Sequence, residues 1–129
     1  MIMRIYIFRH GEAVAKNDPS VASDPERPLV DEGIRRTRQA AEGLREMGIM
    51  PDVIYTSPWL RAKQTARILS EVFHATELVE MSELAGDRTV AEVLAALSRV
   101  GKAQEIMLVG HQPLLGEIAA YLLSLSTGM

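Results

Sequence analysis

Ile5-Tyr6-Ile7-Phe8, followed at once by Arg9-His10-Gly11-Glu12, decides the fold. Four apolar, β-prone residues stop abruptly at charge, too short a run for a helix. Such a run reads as a strand covered on both faces. The pattern recurs at Val53-Ile54-Tyr55, more weakly at Leu78-Val79 with Met81, and at Ile106-Met107-Leu108-Val109. Helical stripes separate these runs. Ile34, Ala41, Leu44 and Met47 form one, with Asp31 as its expected cap and Gly48 as its end. Ala62, Ala66, Leu69 and Phe73 form a second, and Val90, Val93, Leu94, Leu97 and Val100, ended by Gly101, a third. The fourth is Leu114, Leu115, Ile118, Leu122 and Leu125, with Pro113 acceptable in its first turn, and it reads as a buried helix. Strand and helix in alternation predict an α/β fold, a three-layer α/β/α sandwich around a mainly parallel central sheet.

The segment from Val14 to Arg27 follows neither period. It holds Asn17, Asp18, Pro19, Ser20, Ser23, Asp24 and Pro25, and reads as a long surface loop of the kind that often carries function. No internal repeat, linker or low-complexity tract interrupts the rest.

Composition narrows the chemistry. The 129 residues suit one domain, large enough to bury a core without disulfides or a structural metal. A formal charge of −3 disfavours nucleic acid as a partner. Cysteine is absent, which removes thiol catalysis, thiolate zinc sites and iron–sulfur clusters and fits a cytoplasmic location. The three histidines, His10, His74 and His111, would need carboxylate help to hold zinc. The N-terminal residues do not read as a signal peptide, and no apolar run reaches the roughly 20 residues of a membrane span.

Three polar clusters begin where an apolar strand ends: Arg9-His10-Gly11-Glu12, Thr56-Ser57-Pro58-Trp59-Leu60-Arg61 and Gly110-His111-Gln112-Pro113. Ligands of open parallel sheets bind beyond the carboxyl ends of the strands, so one pocket is expected to collect two arginines and two histidines. That set suits a tetrahedral anion. Arginine presents a charged fork of donors. Gly11 and the chain near Ser57 and Gln112 offer backbone N–H groups. A neutral histidine can attack phosphorus while its cationic neighbours stabilise the equatorial oxygens. Other residues have plainer readings. His74 stands alone at a helix end. Arg35, Arg36 and Arg38 suit a solvated helix face. Glu12 either anchors its loop or faces the site, and Trp59 suits packing slightly better than a pocket wall.

On these residues the chain resembles the histidine phosphatase superfamily, the phosphoglycerate-mutase-like proteins. Arg9-His10-Gly11-Glu12 resembles its RHG signature. The run from Ser57 to Ala66 resembles its SPxxRAxQTA element, and Gly110-His111-Gln112-Pro113 its second-histidine element. Arg27-Pro28-Leu29 with Gly33 resembles a stretch of SixA-type phosphohistidine phosphatases, with Val30 where threonine is usual. The resemblance implies that His10 is the nucleophile, that Arg9 and Arg61 bind phosphate, and that His111 binds phosphate and stabilises the transition state. Gly11 and Gln112 join them as phosphate-binding candidates. Asn17 sits one residue too far along to match the asparagine of mutase-type members and is not assigned.

The departures also carry meaning. Mutases and larger acid phosphatases insert an acid-bearing segment before the last histidine, and here no room exists for it. Glu83 is the remaining candidate acid. The expectation is a single domain over 1–129, short of the family's C-terminal strand pair. The implied activity is that of a metal-independent, cofactor-free phosphatase acting on phosphohistidine in bacterial phosphorelay signalling. Its partner would be a phosphohistidine-bearing protein such as a histidine phosphotransfer domain. The alternatives are a phosphomonoesterase for a small phosphoester and a non-catalytic phosphoprotein-binding domain. Neither nucleic acid nor membrane is an expected partner.

Overall fold

The computed structural model describes residues 4–74, 77–101 and 105–126. Strands β1 (Arg4–Arg9), β2 (Val53–Thr56), β3 (Glu77–Glu80) and β4 (Glu105–Gly110) alternate with helices α1 (Asp31–Glu46), α2 (Leu60–Phe73), α3 (Val90–Leu97) and α4 (Leu114–Ser126). The sheet order is β1-β4-β2-β3. Every strand pair within it is parallel, the expected architecture.

Strand alternation sorts the side chains into two cores. Ile106 and Leu108 pack with Val53 against Val93 and Ala96 of α3 and Leu114, Leu115 and Ile118 of α4. Met107 and Val109 point the other way and join Ile54, Ala41 of α1 and Ala62, Ala66 and Leu69 of α2. The two helix layers result from this one alternation.

Several local expectations are corrected. Val30, not Asp31, occupies the N-cap of α1, and no side chain caps it; Asp31 opens the first turn, where its charge faces the positive end of the helix dipole. Gly48 does come after the helix, at φ 86°, the left-handed geometry glycine adopts cheaply. Helix α3 closes at Leu97 with Ser98 as its C-cap, before Gly101. Helix α4 buries Leu114, Leu115 and Ile118 but exposes Tyr121, Leu123 and Leu125, so it is buried only through its first half. Met47 and Leu78 are likewise exposed. Among the described residues the outer strands β1 and β3 have one neighbour each, and their residues are half-buried or exposed, unlike most of those of β4.

Glycine brings β1 and α1 together. A Cβ on Gly33 would overlap the Glu12 carbonyl oxygen, and one on Gly11 would lie 2.5 Å from Thr37 Oγ1. The chain leaving β1 therefore rests directly on the first turns of α1, which fixes the backbone that carries His10.

Candidate active site

Register aligns the strand ends. Arg9 pairs with Gly110 across β1 and β4, and Thr56 with Val109 across β2 and β4. Because β4 lies between β1 and β2, the residues after all three emerge side by side. Backbone bonds extend the alignment: His10 N–H donates to Gly110 O (3.1 Å) and Ser57 N–H to Val109 O (3.0 Å). The result is a cleft of about 650 Å³ lined by Arg9, His10, Gly11, Arg61, His111 and Gln112, among others.

The His10 ring is held at both nitrogens. Nδ1 lies 2.6 Å from the Gly11 carbonyl oxygen. A carbonyl only accepts, so Nδ1 carries the hydrogen and Nε2 keeps its lone pair. Arg61 Nε donates to that Nε2 at 3.2 Å. Burial, followed by the nearby charges of Arg61, Arg9 and Arg27, lowers the His10 pKa against the opposing Gly11 bond. The ring is therefore neutral near pH 7, with Nε2 aimed at the guanidinium that would hold an incoming anion.

Arg61, in the first turn of α2, is 4% exposed. Besides His10 it donates from Nη1 to the Asp24 carbonyl oxygen at 2.7 Å, and its Nη2 lies 3.6 Å from Asp24 Oδ2. Its guanidinium carbon sits 5.1 Å from the centre of the Trp59 ring, a cation–π contact. Trp59 thus serves as packing and as site wall together. Arg9 is exposed at the rim.

His111 is 3% exposed, its ring centre 5.2 Å from that of His10 and 4.8 Å from that of Trp59. Ser57 Oγ lies 2.7 Å from His111 Nε2 and accepts the Trp59 N–H at 3.1 Å. His111 Nδ1 is buried with no partner among the described residues. In the tautomer in which the Ser57 hydroxyl donates to Nε2, Nδ1 is a donor, and an oxyanion in the cleft would supply the acceptor it lacks. Burial, then Arg61 and His10, push the His111 pKa down to about 3.

One expected phosphate contact is redirected. The Gly11 N–H donates to Thr65 Oγ1 at 3.0 Å, so Gly11 packs the loop instead of presenting a free donor. Gln112 lines the cleft, and its Oε1 accepts the Gly116 N–H at 2.9 Å, which fixes its side chain at the start of α4. Glu83 is a correction. It lies in a separate recess with Tyr55 and Arg99, and Arg99 Nη2 contacts its carboxylate at 3.3 Å. The short 3-10 turn Ser82–Leu84 buries Leu84 in the core and turns its neighbour Glu83 away from the cleft.

The long loop contributes what the strand-end pattern did not name. Lys16, Asp24 and Arg27 line the cleft together with Glu12. Arg27 Nε donates to Asp24 Oδ1 at 2.7 Å and its Nη1 to the Val14 carbonyl at 2.6 Å. Asn17 does not line the cleft. Among the described residues no cluster of three or more His, Asp or Glu has metal-binding geometry. No described helix is long and apolar enough to cross a membrane.

Residues 5–86 match the family model of the histidine phosphatase superfamily (branch 1). The chain belongs to this superfamily. It is 32% identical over 127 residues to the phosphohistidine phosphatase SixA of Escherichia coli, covering 93% of this chain and 74% of that one. It is 40% identical over 119 residues to an uncharacterized protein of Picosynechococcus, covering 91% and 71% respectively. The solved structure of a protein histidine phosphatase SixA complexed with tungstate superposes with a TM-score of 0.79 at 30% identity, over 92% of this chain and 75% of that one. A Plasmodium falciparum phosphoglycerate mutase shares the fold at a TM-score of 0.67 and 19% identity, over 93% and 68%. Two histidines, His10 and His111, line the cleft of this chain with Arg9 and Arg61.

Those imidazoles predict a pH signature for stability. Unfolding returns them to water, where they take up protons below about pH 6.5. In the folded chain His111 resists until about pH 3, and the His10 value is lowered too. The unfolded state then binds more protons, so stability falls as pH drops below the unfolded value. Asp24 acts in a lower window. Burial raises its pKa, but the Arg27 bond and the Arg61 charge outweigh burial and lower it overall. Its contribution is present above about pH 3.9 and is lost only as pH falls through the folded value. Between pH 7 and pH 5 His111 alone is expected to cost about 2 kcal/mol of stability, measurable by urea unfolding. His111→Gln should flatten that slope; an unchanged slope would assign it to other groups.

Proposed function

We propose that the chain is a metal-independent phosphohistidine phosphatase that works through a phosphorylated His10. The observation that carries this reading is the His10 ring: Nδ1–H is tied to the Gly11 carbonyl, so the lone pair of Nε2 faces Arg61. The kinship with SixA, named for phosphohistidine, supports the substrate class.

In the first step Nε2 of His10 forms a bond to phosphorus as the P–N bond of the substrate breaks. The departing imidazole keeps the bonding electron pair and takes a proton from solvent. Arg61, Arg9 and the Nδ1–H of His111 hold the equatorial oxygens as charge redistributes. The Gly11 carbonyl stabilises the positive charge that develops on the His10 ring, while its tether leaves Nε2 in place. In the second step water attacks phosphorus, the His10 N–P bond breaks, and the electron pair returns to Nε2. The protons of the water leave with orthophosphate. The arginines supply the positive charge that metal ions bring to many phosphatases.

Imidazole leaves far more readily than an alkoxide, so this substrate class needs no strong dedicated acid. Glu83 turns to Arg99 and the Asp24 carboxylate is engaged by Arg27, so among the described carboxylates that line the cleft Glu12 is left, and P–N cleavage makes the smaller demand on it. The cleft is also much larger than a phosphoryl group requires, which suits a group presented on a protein surface. The test is a panel of phosphohistidine protein, phosphoserine peptide and sugar phosphate, each with a chelator present. The highest kcat/KM is expected on phosphohistidine protein, unaffected by chelation. Equal efficiency on a small phosphomonoester would replace this reading with the esterase one. Binding of phosphoprotein without phosphate release would indicate a binding domain.

A further inference from the structure

Asp24 places a carboxylate among the cations of the cleft. Its side chain is 38% exposed, whereas those of Arg27 and Arg61 beneath it are 12% and 5% exposed. Asp24 Oδ1 accepts from Arg27 Nε at 2.7 Å, and Oδ2 stands 3.6 Å from Arg61 Nη2. Its backbone carbonyl separately accepts from Arg61 Nη1 at 2.7 Å. The residue thus orients Arg61 through its backbone and lowers the positive charge of the pocket through its side chain. The catalytic assignment leaves the second property unused.

Taking the cleft as a phosphoryl site, we propose that Asp24 is an internal competing anion that weakens the hold on the phosphate product. Arg9, Lys16, Arg27 and Arg61 face the cleft, against the carboxylates of Glu12 and Asp24. Four cations around a small dianion would bind it firmly in a partly dry cleft. Free orthophosphate near neutral pH is largely a dianion, whereas the phosphoryl unit in flight between two imidazoles loosens toward a metaphosphate-like PO3 unit of smaller total charge. Repulsion from Asp24 therefore falls hardest on the product, and the ionised carboxylate limits product inhibition. It is a specificity-determining residue here, acting on anion affinity.

Asp24→Asn removes the charge while retaining an oxygen for Arg27 and the backbone carbonyl for Arg61. Titration calorimetry with orthophosphate at low ionic strength is expected to show about tenfold tighter binding than wild type, with the difference shrinking as salt screens the carboxylate. Product inhibition should strengthen in parallel. Asp24→Ala, read by the same criterion, serves if the Asn variant does not fold. Equal or weaker phosphate affinity in the variant, with wild type binding phosphate, would overturn this role and leave the phosphatase reading standing. Absence of phosphate binding in both proteins would overturn both.

Discussion

His10→Ala is expected to reduce turnover of phosphohistidine protein by on the order of 10⁴-fold or more, because the covalent route loses its nucleophile. The substitution removes Nε2, the atom to which Arg61 donates, and no other described side chain can replace it in that position. The His111 ring, 5.2 Å away, is not a substitute: it is buried and its Nε2 is engaged by Ser57. The fold should survive, since His10 is half-buried and its backbone bond to Gly110 persists. The measurement is single-turnover phosphate release together with acid-quenched trapping of phosphoenzyme. Both should disappear while the urea midpoint stays close to wild type. A variant that keeps near-wild-type rates would move the nucleophile elsewhere.

Arg61→Ala is expected to reduce kcat/KM by on the order of 10²–10³-fold, the loss expected on removal of one preorganised charge-stabilising donor. It should also destabilise the protein, unlike His10→Ala. The buried guanidinium ties α2 to the long loop through the Asp24 carbonyl and lies over Trp59, so its loss orphans an acceptor and opens a void. Arg61→Lys separates charge from geometry. One ammonium cannot reproduce the planar fork that reaches His10 from Nε and Asp24 from Nη1. If the lysine variant keeps full rate, the positive charge alone accounts for the role of Arg61.

The parts of this arrangement that were legible in the sequence share one property: they sit directly at the ends of apolar strands. His10, Arg9 and His111 lie within a residue or two of the ends of β1 and β4, and Arg61 lies in the first turn of the helix after β2, so sequence order and a parallel sheet suffice to gather them. Asp24, Arg27 and Lys16 lie on a loop without periodicity. Its return to the cleft depends on distant bonds, such as Val14 N–H to Pro28 O and Leu29 N–H to Gln64 Oε1 at 2.7 Å. Nothing local encodes those partners. Ser57 and Thr65 did leave a trace, since both lie in the run from Ser57 to Ala66 that carries the family resemblance, and both are fully buried, each holding a piece of the site. Glu83 misled because the turn that carries it does reach the site: Gly86, three residues on, lines the cleft against Trp59. The Glu83 side chain itself turns outward to Arg99, a partner that nothing local encodes.

The insertion of β4 between β1 and β2 has a consequence for how the protein is made. On the ribosome, β1 is synthesised before the other three strands, and its only partner in the described sheet is the last of the four to appear, with Arg4 set opposite Glu105. Neither is β2 joined to β1 except through that same strand. A nascent chain that has produced His10 and Arg61 therefore holds both without the element that brings them into line. Pairing across such a long stretch of sequence carries a large loop-closure cost, and closure has to await β4. Assembly of the cleft is thereby tied to the synthesis of β4: the ends of β1 and β2 are brought into line when β4 takes its place between them, and not before.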